Sequence, residues 1–168
     1  DLFAVFIERC NEILSHSGYQ AMITQYVWMY KTVYSNFRKS MLSRQIINMA
    51  HLGSGAFDEI VGEVVNTTTF ILKKESLENY VSTFVRLTDY PDENSKRVGF
   101  LCTQKKYYTD QRRFLSVAEY IYAYWVSNTV FNTLISAPPL ETLAAPRKGL
   151  TTGDNDRFVR LWFEIGTT

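Results

Sequence analysis

The strongest constraint on the fold is one pattern used twice in the first third of the chain. Leu2, Phe3, Phe6, Ile7, Cys10, Ile13 and Leu14 recur at three- and four-residue spacing, which predicts a helix with one apolar face, closed by Gly18. Residues 19–24 (YQAMIT) follow as a short apolar run after the glycine turn signal and predict a buried strand. The pattern then returns. Residues 32–43 put Val33, Tyr34, Phe37, Met41 and Leu42 on a second helical face, and residues 45–52 form a second apolar strand. Helix and strand in alternation predict an α/β fold, with parallel strands covered by helices.

Beyond residue 52 the pattern changes. Gly53-Ser54-Gly55 breaks the second strand, residues 56–63 read as a loop, and residues 64–73 form a β-rich run with three consecutive threonines. Residues 80–87 alternate again, so an antiparallel hairpin between these two runs is expected, and the sheet is expected to change from parallel to antiparallel there. Residues 91–106 carry a weak helical pattern around Val98, Phe100, Leu101 and Lys105, and residues 107–116 read as irregular. Residues 121–125 are expected to form a strand, and residues 127–136 a helix ended by Pro138-Pro139.

Composition narrows the function classes. With 168 residues, 46% hydrophobic, 15% aromatic and 21% charged, the chain can build one globular core and is neither a disordered tail nor a disulfide scaffold. A net charge of +1 gives no overall basic field for nucleic acid, so any DNA-binding charge must be local. Lys105, Lys106, Arg112 and Arg113, interleaved with Tyr107 and Tyr108, form such a cluster, though the same cluster fits a solvated surface. Cys10 and Cys102 lack zinc-ligand spacing and read as buried thiols in a reducing cytoplasm. His16 and His51 have no partner at metal-ligand spacing, so no metal site is expected. The longest apolar stretch, residues 120–137, is interrupted by Asn128 and Asn132, and no membrane span is expected. The chain starts at Asp1 without Met and stops just after an aromatic run, which reads as a piece cut from something longer.

Three segments could carry chemistry. The loop after the second strand, within HLGSGAFDEIVGEVVNTTTFIL from His51 to Leu72, sits where open α/β sheets bind ligands, beyond the carboxyl ends of the strands. Its Phe57 fits either a ring that stacks on something flat or a plug for the core beneath the loop. The exit of the first strand offers Gln25 and Trp28 at the same kind of position, where a planar ligand would be met; Trp28 and Tyr30 equally suit packing on the following helix. The run KGLTTGDNDRF from Lys148 to Phe158 is dense in turn and hydroxyl residues and reads as a tight connection; the bidentate glutamate that a calcium loop requires is missing.

Taken together, DLFAVFIERCNEIL, GYQAMITQYVWM, AHLGSGAFDEIVGEVVNTTTFIL and GLTTGDNDRFVRLWFEI resemble, in this order, the adenine-specific DNA methyltransferases of the bacterial BREX phage-defence system (the PglX-like type) and related combined restriction and modification enzymes. The first resembles the helix after their Asn-Pro-Pro-Tyr loop, the second the next strand and its exit, the third the segment that contacts the target base. The fourth resembles the junction into the target-recognition region. Where relatives are expected to carry Pro and Gly, this chain has FLSVAEYIYAYW.

The resemblance implies the back half of a Rossmann-like S-adenosylmethionine-dependent methyltransferase sheet with an antiparallel hairpin, followed by the start of a target-recognition region. Residues 1–90 would be catalytic fold, 91–145 a helical insertion with its connecting strand and helix, and 146–168 the junction. The implied function is site-specific methylation of the adenine amino group in double-stranded DNA, in a restriction-modification or phage-defence system that includes other proteins. Phe57 would stack on the flipped base, Gln25 and Trp28 would sit at the active-site rim, and Lys148, Gly149, Thr151, Thr152, Gly153, Asn155 and Arg157 would follow the DNA backbone. Asp154 and Asp156, which would repel phosphate, are expected to turn away and cap local backbone amides. The motifs that bind S-adenosylmethionine and grip the amine do not occur in the sequence, so no catalytic residue is expected in this chain. The rival is a non-catalytic DNA-binding or assembly module derived from such an enzyme.

Overall fold

The computed structural model describes residues 1–58, 65–101, 105–145, 153, 154, 157 and 159. The chain divides into two compact units, Asp1–Ile135 and Ser136–Thr168.

The first unit is a mixed five-stranded sheet with helices. Helix α1 (Leu2–Ile13) leads through Gly18 into β1 (Tyr19–Gln25). Helix α2 (Ser35–Met41), preceded by two 3-10 turns at Val27–Met29 and Thr32–Tyr34, leads into β2 (Gln45–Gly53). Then follow β3 (Thr67–Lys73), β4 (Ser82–Arg86), α3 (Glu93–Leu101), β5 (Lys106–Thr109) and α4 (Asn128–Ser136). The α/β class expected from the helix and strand alternation is what the chain adopts.

The strand order β1-β3-β2-β4-β5 departs from the expected pairing in one instructive way. β3 enters antiparallel between β1 and β2, with Thr69 opposite both Ile23 and Ala50. Both of its edges are thereby filled, so β4 cannot form the expected hairpin with it and instead pairs parallel with the other edge of β2. The antiparallel partner next in sequence to β3 is therefore β2. The link 74–81 is pinned on its way by Leu77, whose amide donates to Gln45 Oε1. The threonines suit β3 to its central place: Thr68 is fully buried and its hydroxyl donates to the Ala50 carbonyl.

β1 is an edge strand rather than a fully buried one. Its inward positions are Gln20 and Thr24, while Ile23 points outward and is exposed. Both inward side chains make hydrogen bonds: Gln20 Nε2 donates to the Ile7 carbonyl, and Thr24 Oγ1 accepts from Trp28 Nε1 at 3.0 Å.

The core is built from rings. Trp28 meets Phe37, Phe70 and Tyr122 edge-to-face at 5.5–5.8 Å, while Phe84 stacks on Tyr124 and Phe114 on Tyr122. Two buried polar side chains tie the loops to this core. Arg38 donates to the carbonyls of Trp28, Lys31 and Glu119, and Gln111 donates to those of Leu42 and Arg44 while accepting from the Ile46 amide.

Residues 121–125, expected as a strand, pair with no strand of the sheet. Glu119 and Tyr120 both take left-handed backbone angles, which turns the chain so that Tyr122 and Tyr124 insert into the core as plugs. Residues 107–116, expected to be irregular, instead hold most of β5 and a 3-10 turn at Gln111–Ser116, capped by Asp110. Cys10 is a free, half-buried thiol, and Cys102 lies outside the described residues. No described helix is long and apolar enough to cross a membrane.

The second unit contains, among its described residues, a 3-10 turn at Leu140–Thr142.

Candidate functional site

β1 and β2 are both antiparallel to β3, and β4 is parallel to β2, so β1, β2 and β4 run in one direction. Their carboxyl ends, Gln25, Gly53 and Arg86, share one end of the sheet. Gln25 and Gly53 both stand opposite Thr67, one on each side. The loops that leave these ends hold the candidate site, as expected for an open α/β sheet.

The loop after β2 is shaped by two glycines. Gly53 and Gly55 have φ of +71° and +64°, a region that side chains strain to enter. A Cβ at Gly55 would also collide with the Pro91 carbonyl oxygen, so this loop can lie against the 91–92 backbone only because residue 55 has no side chain. The loop then presents Phe57, which is 38% exposed. At this exposure the ring is not a plug for the core beneath the loop.

Gln25 is exposed at the end of β1. Trp28 is not at any rim. It is fully buried among Phe37, Phe70 and Tyr122, with its indole N–H spent on Thr24, so it cannot meet a ligand. The 3-10 turn directly after β1 rolls the indole inward, and the packing role weighed against the rim role is the one it plays.

The groups that do line this end include several that the sequence does not single out. Tyr26 lies 4.7 Å from the His51 ring and 5.3 Å from Tyr30. His51 Nδ1 is 3.3 Å from the Tyr124 hydroxyl. Tyr124 meets Trp125 edge-on, and the Arg86 guanidinium sits 5.1 Å from the Trp125 ring centroid. Arg86 and His51 are register partners on β4 and β2. These residues are far apart in sequence and form no motif, which is why spacing gives no signal for them.

Two cations, Arg86 and Lys96, stand near the buried His51 at this end. Burial, then the positive charges of Arg86 and Lys96, lower the His51 pKa to about 4, so the imidazole is neutral at pH 7. His51 Nε2 is buried with no hydrogen-bond partner among the described residues. Burial, then the hydroxyl of Tyr30, raises the Tyr26 phenol. Lys96, whose pKa burial lowers, donates to the carbonyls of Leu87 and Tyr90 and so fixes the loop after β4. Aromatic faces beside a guanidinium suit a flat, anionic ligand. They suit a sulfonium cofactor poorly: its positive charge would sit beside Arg86 and Lys96, with Asp89 already paired to Lys105 at 2.9 Å.

The expected basic cluster is largely committed elsewhere. Arg112 pairs with Asp110, and Arg113 lies 4.1 Å over the Phe131 ring. Of the expected backbone-contact residues, Lys148, Gly149, Thr151, Thr152 and Asn155 lie outside the described residues. Gly153 has φ +71° and is exposed, as is Arg157, whose backbone amide donates to Asp154 Oδ1 at 3.1 Å. Asp154 is thus turned onto a local amide, as expected for an acidic side chain in such a turn, while Asp156 is outside the described residues.

The profile of the Eco57I restriction-modification methylase family matches residues 1–57, which run from α1 to the Phe57 loop. Over 98% of its length the chain is 40% identical to the adenine-specific methyltransferase PglX of Lacticaseibacillus casei strain Zhang. It is 34% identical, again over 98% of its length, to the adenine-specific methyltransferase BrxX of Escherichia coli O9:H4 strain HS. Along nearly its whole length the chain is similar to one segment of PglX-like methyltransferases. It spans 14% of the length of each of these two relatives, so the PglX-like features carried here are those of one segment.

Partial likeness to solved structures is also found. The M protein of the type I restriction enzyme EcoKI matches with a TM-score of 0.45 and 14% identity, over 58% of this chain and 24% of that one. A Listeria monocytogenes protein assigned as a class I S-adenosylmethionine-dependent methyltransferase matches with a TM-score of 0.42 and 14% identity, over 57% and 30%.

Proposed function

We propose that the protein carrying this chain is a site-specific DNA adenine methyltransferase of a bacterial restriction-modification or phage-defence system, acting in the cytoplasm with other proteins of that system. The observation that carries this reading is the 40% identity to PglX across 98% of the chain. The methyl donor is S-adenosylmethionine, held by residues outside this chain, and the acceptor is the exocyclic amine of adenine in double-stranded DNA.

The chain's own part is contact with the DNA. An adenine inside a duplex must leave the stack before its amine is reached, which costs a few kcal/mol. Phe57, on the glycine-shaped loop at the strand ends, offers the turned-out base a ring to stack on and offsets part of that cost. Gln25 stands at the rim of the same sheet end. Lys148, Gly149, Thr151, Thr152, Gly153, Asn155 and Arg157 follow the DNA backbone: the glycines permit close approach, the hydroxyls and amide donate to phosphate oxygens, and Lys148 and Arg157 supply charge.

The test is methyl transfer by the full-length protein from labelled S-adenosylmethionine to duplex DNA, with the product adenine identified after digestion. N6-methyladenine in a defined sequence is the expected product. DNA binding without methylation would favour a non-catalytic DNA-binding or assembly module instead.

A further inference from the structure

We propose that Trp125 and Arg86 form a second nucleotide contact, separate from Phe57, which holds a base left unstacked in the DNA when the target adenine is turned out. This rests on the DNA-methyltransferase reading and adds to it the chemistry of a particular subsite.

Three observations carry it. Arg86 is the last residue of β4, at the carboxyl end shared with β1 and β2, so its guanidinium lies where ligands of such sheets bind. Its Nε donates to Thr88 Oγ1, and among the described residues no carboxylate forms an ion pair with it; the nearby Asp89, which feels its charge, pairs with Lys105 instead. The guanidinium lies over the Trp125 ring, and Trp125 is 39% exposed, in contrast to its neighbour Tyr124 at 3%.

Trp125 is also held in place. Tyr124 stacks on Phe84 at 4.8 Å with an interplanar angle of 11°, meets Trp125 edge-on at 5.0 Å, and reaches His51 with its hydroxyl. An exposed indole anchored through its neighbour to the core offers stacking area at little ordering cost. A guanidinium beside it supplies the charge for the phosphate of the same nucleotide, the combination that proteins use on single-stranded nucleic acid.

The experiment walks a single abasic position through the recognition site of the full-length protein and measures affinity for each duplex, with wild type, Trp125→Ala, Trp125→Phe and Arg86→Gln. At one position other than the target adenine, base removal is expected to weaken wild-type binding about tenfold and to leave Trp125→Ala indifferent. Trp125→Phe should restore most of that difference. Arg86→Gln should reduce the slope of log affinity against log salt by about one. Melting temperatures of the variants serve as folding controls, and the Phe variant keeps the test decisive if the Ala variant is unstable. Equal losses at every position in wild type and Trp125→Ala, with an unchanged salt slope for Arg86→Gln, overturn the subsite alone. A changed sedimentation coefficient in Trp125→Ala with intact DNA binding overturns it in favour of a protein interface. No DNA binding by the wild type removes both this subsite and the function it rests on.

Discussion

The Tyr124 hydroxyl lies 3.3 Å from Nδ1 of His51, joining a segment between α3 and α4 to the middle strand of the sheet at the end where β1, β2 and β4 finish. The phenol is kept protonated by its own burial, and the imidazole is kept neutral by burial and two nearby cations. The pair is therefore a neutral hydrogen bond inside a cationic neighbourhood.

That neutrality gives a pH dependence. The folded pKa of His51 is about 4, below the ordinary value of 6.5, so the unfolded chain binds the proton more readily. Stability is present in full above about pH 6.5 and is lost as pH falls from there toward 4. The contribution is at most about 3 kcal/mol. His51→Gln should flatten the fall in stability over this window in denaturant titrations at several pH values. A slope identical to wild type would remove His51 as its source.

Phe57→Ala in the full-length protein should reduce methylation at least tenfold, with a melting temperature within a few degrees of wild type, because a 38% exposed loop ring contributes little to the core. Methylation falling only in proportion to unfolded protein would show that the ring supports the fold instead.

Trp28→Ala should behave in the opposite way. Removing a fully buried indole with three ring partners costs about 3–5 kcal/mol. Activity per folded molecule, measured well below the melting temperature, should stay close to wild type. A normal melting temperature with lost activity would return Trp28 to the rim.

Two glycines with similar backbone angles should respond differently to alanine. At Gly153 nothing lies within 4 Å of the added Cβ, so only the left-handed φ is penalised, by about 1 kcal/mol. At Gly55 the collision with Pro91 comes on top and must push the Phe57 loop away from residues 91–92. Gly55→Ala is therefore expected to impair methylation far more than Gly153→Ala. Equal effects would mean that the loop absorbs the side chain without moving.

The proposed backbone contact predicts that Lys148→Ala and Arg157→Ala each lower the salt slope of DNA binding by about one, equally on cognate and unrelated duplexes. Unchanged slopes on both would leave this segment a connector.

The sequence by itself determined the first two helix and strand pairs, the α/β class, the glycine-shaped loop after β2 and the placing of Phe57 on it. These follow from local periodicity and turn chemistry, which act over a few residues and so survive in a linear reading. Only the tertiary structure decided the rest. Whether β3 pairs with β1, β2 or β4 depends on which sheet edges are free when it docks, a property of no single segment. Trp28 faces the core, not the rim, because the 3-10 turn after β1 rotates it onto Phe37, Phe70 and Tyr122, which arrive from three other parts of the chain. His51, Arg86, Tyr124 and Trp125 come together from β2, β4 and the segment after Tyr120, and side chains brought together across the sheet leave no spacing for a sequence pattern to show.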